Sequence, residues 1–400
     1  MSSTITTESC RVEDVGKFEI IARDGRGRIG KLYTHHGIVN TPTLLPVINP
    51  NINTITPRSM WEDYGIKALI TNSYIIWKHE ELRKKALEKG VHELLEYPGA
   101  IMTDSGTFQS FVYGDIEVDD EEIVSFQHEI GVDIATMMDV FGRPDMTRDE
   151  SARAVEITLD RSKAAINSAN GTMLNGPIQG GIFEDLRKKS AIEMGKLPFS
   201  IHPIGGIVPL MESHRYSELT KILMSSIPNL PSNRPIHLFG CGHPMLFPMA
   251  IALGADLFDS AAYALFARDG RLMAPWGTFH LEKLEEWPIM SPTLAPYSPE
   301  EVRCMDREKQ IETLARHNLE TTMAELARCR QAIREGNLWE LVEKRSNAHP
   351  ELVKALENIR NPSNDTELVA SDWLKNAAHM QYKGGIRWTN ETLQKRPSIE

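Results

Sequence analysis

Three carboxylates and an amide stand where short apolar runs of this chain end. Asp104 closes GAIMTD, Asp139 closes VDIATMMD, Gln179 closes TMLNGPIQ and Asp259 sits in ADLFDS, while a fifth run, IHPIGGIV, carries the pair Gly205 and Gly206. A protonated carboxyl is an acid and an ionised one a base or nucleophile, so two of them held in different environments can divide those roles. An amide nearby can donate to and accept from the edge of a polar ring. The stretch IMTDSGTFQS surrounds Asp104 with a Ser-Gly turn and an aromatic, Phe108, which suits proton transfer on a flat polar substrate. Aspartate after a strand is also a common helix N-cap, and capping stands beside catalysis as a reading of Asp104 and of Asp139; for Phe108 a core ring stands beside a stacking platform.

Those strand ends need elements to position them. Eight runs of strand character recur: TLLPVI (43–48), KALITN (67–72), GAIMTD (99–104), VDIATMMD (132–139), TMLNGPIQ (172–179), IHPIGGIV (201–208), PIHLFGCG (235–242) and ADLFDS (255–260). Between them lie segments such as TRDESARAVEITLDRSKAAINSA, with apolar residues at helical spacing. Strands alternating with helices predict parallel βαβ units. Eight units over about 250 residues favour a closed (β/α)₈ barrel over an open doubly wound sheet, and a barrel carries its active site at the C-terminal strand ends. Residues 17–43 alternate and turn repeatedly, which predicts an antiparallel hairpin region acting as a cap or lid. After residue 261 the Pro-rich WPIMSPTLAPYSP predicts a loop, residues 300–332 a long helix and residues 338–360 a helix pair; the last forty residues read as a weakly structured tail.

With 41% hydrophobic and 25% charged residues, the chain has the composition of a soluble globular protein. A net charge of −11 argues against a general nucleic-acid coat protein, which needs clustered Lys and Arg. Cys10, Cys241, Cys304 and Cys329 share no C-x-x-C spacing, so neither a disulfide framework nor a thiolate metal site is expected, and a cytoplasmic location is. No export signal is seen and no apolar run approaches the ~20 residues that span a bilayer.

The stretches LLPVINPN, LITNSYIIWK, IMTDSGTFQSFVYGD, NGPIQG, PIGGIVPLMESHRY, RPIHLFGCGHPM and ADLFDSAAYALFARD, in this order, resemble the tRNA-guanine transglycosylases, most closely their archaeal archaeosine type. The resemblance runs from about Phe18 to about Pro350. It implies a (β/α)₈ barrel over about residues 43–280, a helical subdomain over about 281–350, together a catalytic domain of residues 1–350, and a C-terminal segment 351–400 able to dock a partner. The implied reaction exchanges a guanine of tRNA, at position 15 in the D-arm, for 7-cyano-7-deazaguanine without cutting the strand. Asp259 matches the nucleophile that attacks C1′ of the ribose, and Asp104 the general acid/base. Paired carboxylates suit that chemistry because breaking the glycosidic bond builds positive charge on the sugar and negative charge on the base. Asp139 and Gln179 match residues that bind the base edge, Gly206 and Ile207 offer backbone groups to it, and Phe108 stacks on it.

Two departures from the family's pattern carry expectations of their own. The family holds a structural zinc on three cysteines and a histidine, whose places fall here on Ile289, Ser291, Leu294 and His317; one histidine cannot hold tetrahedral zinc, so no zinc is expected, with Ile289, Met290 and Leu294 packing in its stead. Archaeal relatives continue into a PUA-type RNA-binding module whereas this sequence stops at Glu400, which leads to the expectation of a split enzyme with that module on a separate polypeptide. Candidate phosphate contacts for tRNA are Arg268 and Arg271 together with the basic pairs Arg187-Lys188 and Lys344-Arg345, the two pairs read first as solvated helix faces. A homodimer is compatible with the resemblance. Two other activities remain open: a catalytically silent accessory subunit, which the presence of both Asp104 and Asp259 disfavours, and an enzyme inserting 7-deazaguanine into DNA.

Overall fold

The computed structural model describes residues 10–52, 54–106 and 119–360. Three strands, β1 (Phe18–Asp24), β2 (Gly27–Thr34) and β3 (Gly37–Thr41), form an antiparallel sheet, as the turn-rich start of the chain predicts. Eight parallel strands follow: β4 (Thr43–Ile48), β5 (Ala68–Asn72), β6 (Ala100–Asp104), β7 (Ile134–Thr136), β8 (Met173–Asn175), β9 (His202–Ile204), β10 (Ile236–Leu238) and β11 (Leu257–Ser260). Each falls inside one of the eight apolar runs. Their order is β8-β7-β6-β5-β4-β11-β10-β9, and parallel bridges Asn175–Ile201 and Ile178–Ile204 join β8 to β9. The sheet thus closes on itself, the (β/α)₈ barrel the alternation predicts.

Helices connect the strands and stand outside the barrel. Arg148–Ser168 begins with a capping box, Thr147 accepting from the N–H of Glu150 and Glu150 reaching back to the N–H of Thr147, which satisfies donors the first turn leaves unpaired. Strand residues divide by alternation. Leu44, Leu69, Ile101, Ala135, Leu174 and Phe258 pack outward with the helices, while Leu45, Ala68, Ile70, Ala100, Met102, Ile134, Met173 and Leu257 form a second cluster inside the barrel. Phe18, Leu32 and Val39 of the N-terminal sheet join that inner cluster. The sheet therefore plugs the floor, at the N-terminal strand ends, and the opposite mouth is left for chemistry.

A buried ion pair fastens the plug. Arg28 of β2 grips Asp256, just before β11, with Nε to Oδ1 at 2.8 Å and a terminal nitrogen to Oδ2 at 2.6 Å, and donates also to the carbonyls of Ser232 and Arg234. A hairpin of β12 (Arg271–Ala274) and β13 (Gly277–His280) follows the barrel, and the helix Arg307–Glu335 packs on it and on the helix Ala262–Arg268. No helix among the described residues is long and apolar enough to cross a membrane.

Candidate active site at the barrel mouth

The period of two that sends Ile70, Met102 and Leu257 into the barrel also sends in the residue two positions later on each strand: Asn72, Asp104 and Asp259. Asn72 and Asp104 are direct partners across β5 and β6. On β10, Ile236 and Leu238 face outward, so His237 between them faces in. The mouth is thus lined by polar residues because β5 and β6 end on inward positions just above the apolar layer and β11 places Asp259 at another.

Asp104 Oδ1 accepts from Asn72 Nδ2 at 2.7 Å and from the N–H of Gly106 at 3.0 Å. Asn72 is held for this by its own Oδ1, which caps the helix Ser73–Lys78 by accepting from Ile75 N–H at 2.7 Å. Burial, helped by the charges of Asp259 and Asp139 and opposed by the Gly106 and Asn72 hydrogen bonds, pushes the Asp104 carboxyl up to about 7. Near neutral pH it can therefore both give and take a proton.

Asp259 is buried, and its Oδ1 accepts from the N–H of Gly240 at 2.9 Å. His237 Nε2 lies 2.9 Å from the same oxygen, off the line of a hydrogen bond, and neither nitrogen of this fully buried ring has a hydrogen-bond partner. Gly240 (φ +71°) supplies its N–H from a left-handed turn in FGCG that a side chain would strain.

Asp139, Gln179, Gly205 and Gly206 come together beside this pair. Gln179, fully buried, donates through Nε2 to Asp139 Oδ2 and accepts at Oε1 from Gly142 N–H at 3.1 Å. A methyl on Gly205 would fall 2.2 Å from Gln179 Nε2 and 3.3 Å from Asp139 Oδ2, so glycine is what lets the β9 turn lie against the amide. Ile207 is buried and its carbonyl already caps the next turn, accepting from Leu210 and Met211 N–H.

Beneath this pocket lies Arg187, which the sequence alone marks only as one of a basic pair. It is neither a phosphate contact nor part of a solvated face: it is fully buried, donating to the carbonyls of Gly181 (2.8 Å), Ile178 (2.8 Å) and Gly205 (2.9 Å), and burial lowers its pKa to about 9. The signal was present, for Leu186, Arg187, Ser190, Ala191 and Met194 lie on one helical face and all are buried. Arg345 is likewise buried, paired with Glu325 at 2.7 Å. Asn72 and His237 were legible too, as polar residues at inward strand positions.

Other expected residues lie elsewhere. Phe108 falls outside the described residues, as does the tail beyond residue 360. Arg268 donates to Thr54 at 3.3 Å in the loop that follows β4, and so stands at the rim; Arg271 pairs with Asp269 at 2.6 Å and lies 3.9 Å over the Phe266 ring. At the family's zinc position Ser291, Leu294 and His317 are buried and Ile289 is half-buried, but Met290 is 61% exposed and takes no part in the packing expected of it. Ser291 Oγ and His317 Nδ1 are buried without hydrogen-bond partners, and Ile289 and Leu294 stand at the other two positions, a donor set that does not fit tetrahedral zinc. Among the described residues, the donors grouped closely enough to share an ion are His36, His92 and Asp133, at the other end of the barrel.

A family model described as queuine tRNA-ribosyltransferase matches residues 24–351. Curated relatives named tRNA-guanine(15) transglycosylase include one from Methanobrevibacter smithii, 48% identical over 88% of this chain and 53% of its own length, and one from Thermococcus kodakarensis, 48% identical over 86% and 59%. Another, from Methanosarcina mazei, is 49% identical over 86% of this chain and 69% of its own. The chain spans between about half and two thirds of the length of these relatives. With that match across most of its length, the chain belongs to the queuine tRNA-ribosyltransferase family.

Proposed function

We propose that the chain is the catalytic part of a tRNA-guanine transglycosylase that replaces guanine 15 of tRNA by 7-cyano-7-deazaguanine on the way to archaeosine. The observation that carries this is the pair of inward aspartates at one mouth, Asp104 with its carboxyl raised to about 7 and Asp259 held by a backbone N–H; the names of the relatives support the substrate. Asp259 carboxylate bonds to C1′ as the C1′–N9 bond breaks, and the electron pair leaves on N9, which takes the proton of Asp104. The ionised Asp104 then removes the N9 proton of the incoming base, N9 attacks C1′, and Asp259 departs as carboxylate. Two inversions retain the sugar's configuration.

Asp139, Gln179 and the Gly205–Gly206 turn read the base edge, since leaving such buried partners unmatched would cost about 1–3 kcal/mol each. Phe108 stacks on the base, Gly206 and Ile207 present backbone groups to it, and Arg268 with Arg271 meets phosphates at the rim. No cofactor enters the chemistry and no zinc is held at the Ser291–His317 position. A separate RNA-binding polypeptide, adding the affinity that a chain of net charge −11 lacks, and a homodimer complete the reading. The test is release of labelled guanine from position 15 of a tRNA transcript on adding 7-cyano-7-deazaguanine, with and without an RNA-binding partner. Exchange by the wild type that vanishes in Asp259→Asn is expected. Exchange that persists in the variant overturns the nucleophile, and none under either condition favours a silent accessory subunit.

A further inference from the structure

We propose that His36, His92 and Asp133 form a binding site for a zinc-type divalent ion at the floor of the barrel, remote from the mouth and from the family's zinc position. Asp133 precedes β7 and is fully buried. Its carboxylate accepts main-chain N–H groups from His36 at 3.0 Å and Ile101 at 2.9 Å. Both of its oxygens lie 3.1 Å from His36 Nδ1, and Oδ2 lies 3.0 Å from His92 Nε2. One donor atom from each of the three residues falls within 4.8 Å of the other two.

The two imidazoles stack with centroids 3.6 Å apart and an interplanar angle of 23°. Zinc binds imidazole only in its neutral form, so its entry displaces any proton that faces Asp133. A neutral imidazole can carry its proton on the nitrogen facing away from Asp133, which leaves a lone pair where the hydrogen bond stood. Zinc with bonds of about 2.0–2.2 Å holds tetrahedral donor atoms about 3.3 Å apart, a few tenths of an ångström beyond the oxygen–nitrogen spacings here. The ion replaces any shared acidic proton, which leaves to solvent, and the stack opens as it enters. Entry is from the solvent side, where the His36 and His92 side chains are 37% and 18% exposed while Asp133 is closed off. Water completes the fourth position.

Such an ion would join three segments distant in sequence: the β2–β3 turn of the floor plug, the helix Val91–Leu95 and the entry to β7. Its effect falls on stability and not on chemistry, because Asp104 and Asp259 stand at the opposite strand ends. The experiment takes the full chain stripped by a chelator and titrates zinc against a colorimetric competitor, with thermal melting in parallel. One zinc per chain and a melting temperature that rises with zinc are expected. His36→Gln and His92→Gln should each weaken binding at least about tenfold, while His349→Gln, in the separate stacked pair His214–His349, leaves it unchanged. Absence of binding by the wild type, or binding equally tight in His36→Gln and His92→Gln, overturns the site. Should a variant fail to fold, X-ray absorption at the zinc edge of the wild type reads the ligands directly: nitrogen and oxygen support the site, and sulfur overturns it.

Discussion

At the mouth of the barrel Asp104 is met by an amide and a backbone N–H, and Asp259 by a backbone N–H and an unbonded imidazole; at the floor Asp256 is met by a bidentate arginine and Asp133 by two histidines. Both sets come from the same eight strands, one at their ends and one at their beginnings. Asp256 neutralises Arg28, Asp133 holds the backbone and ring of His36, and both fasten the N-terminal plug. Asp104 instead has no cation beside it among the described residues, and burial, helped by the charges of Asp259 and Asp139, raises its carboxyl to about 7. The floor carboxylates are paired with basic side chains, whereas Asp104 is held by an amide and a backbone N–H.

Substitution can break this contrast. Asp259→Asn is expected to lower guanine exchange by at least about a thousandfold with little change in melting, read by single-turnover base release. Asp256→Asn should do the reverse, leaving Arg28 buried against a neutral amide at a loss of about 3–5 kcal/mol in unfolding free energy by denaturant titration, with exchange per folded molecule preserved.

Asp104 sharpens the comparison through pH. Its folded pKa, about 7, exceeds the unfolded carboxylate value, so between about pH 4 and 7 the folded chain binds the extra proton. Stability from this group is therefore present at low pH, falls as pH rises toward 7 and is level above; Asp104→Asn should remove that slope and gain on the order of 1–3 kcal/mol at pH 8, after discounting its partial exposure. Release of guanine in the first half-reaction should decline as pH rises through about 7.

Smaller effects follow at the pocket and at Ser291. Gly205→Ala places a methyl against Gln179 and Asp139, and a rise in KM for the incoming base of about 10–100-fold, with less change in kcat, is expected. Ser291→Ala removes a buried hydroxyl without a partner and should leave melting unchanged or raise stability by about 1 kcal/mol.

Much of the mouth was legible because a barrel converts position in a strand into position in space. Once GAIMTD and ADLFDS are strands, Asp104 and Asp259 stand at the C-terminal ends and their parity with Met102 and Leu257 turns them inward. Arg187 was misjudged because its neighbours in sequence, Lys188 and Lys189, are charged, while its neighbours in space are three carbonyls. Met290 was misjudged because an apolar residue in a loop is buried only if another element covers it.

By itself the sequence determined the eight strands, the N-terminal hairpins and the residues at the strand ends, since period, turn residues and strand length are local properties; the helix expected over 300–332 is broken at 304–306, between Pro299–Arg303 and Arg307–Glu335. Only the tertiary structure decided that Asn72 supports Asp104, that an unpartnered His237 lies beside Asp259, that Arg28 and Asp256 join positions 228 residues apart, and that Asp133 gathers two histidines. Those contacts arise when the barrel closes, and desolvation and charge depend on what closure brings near rather than on what is adjacent in the chain.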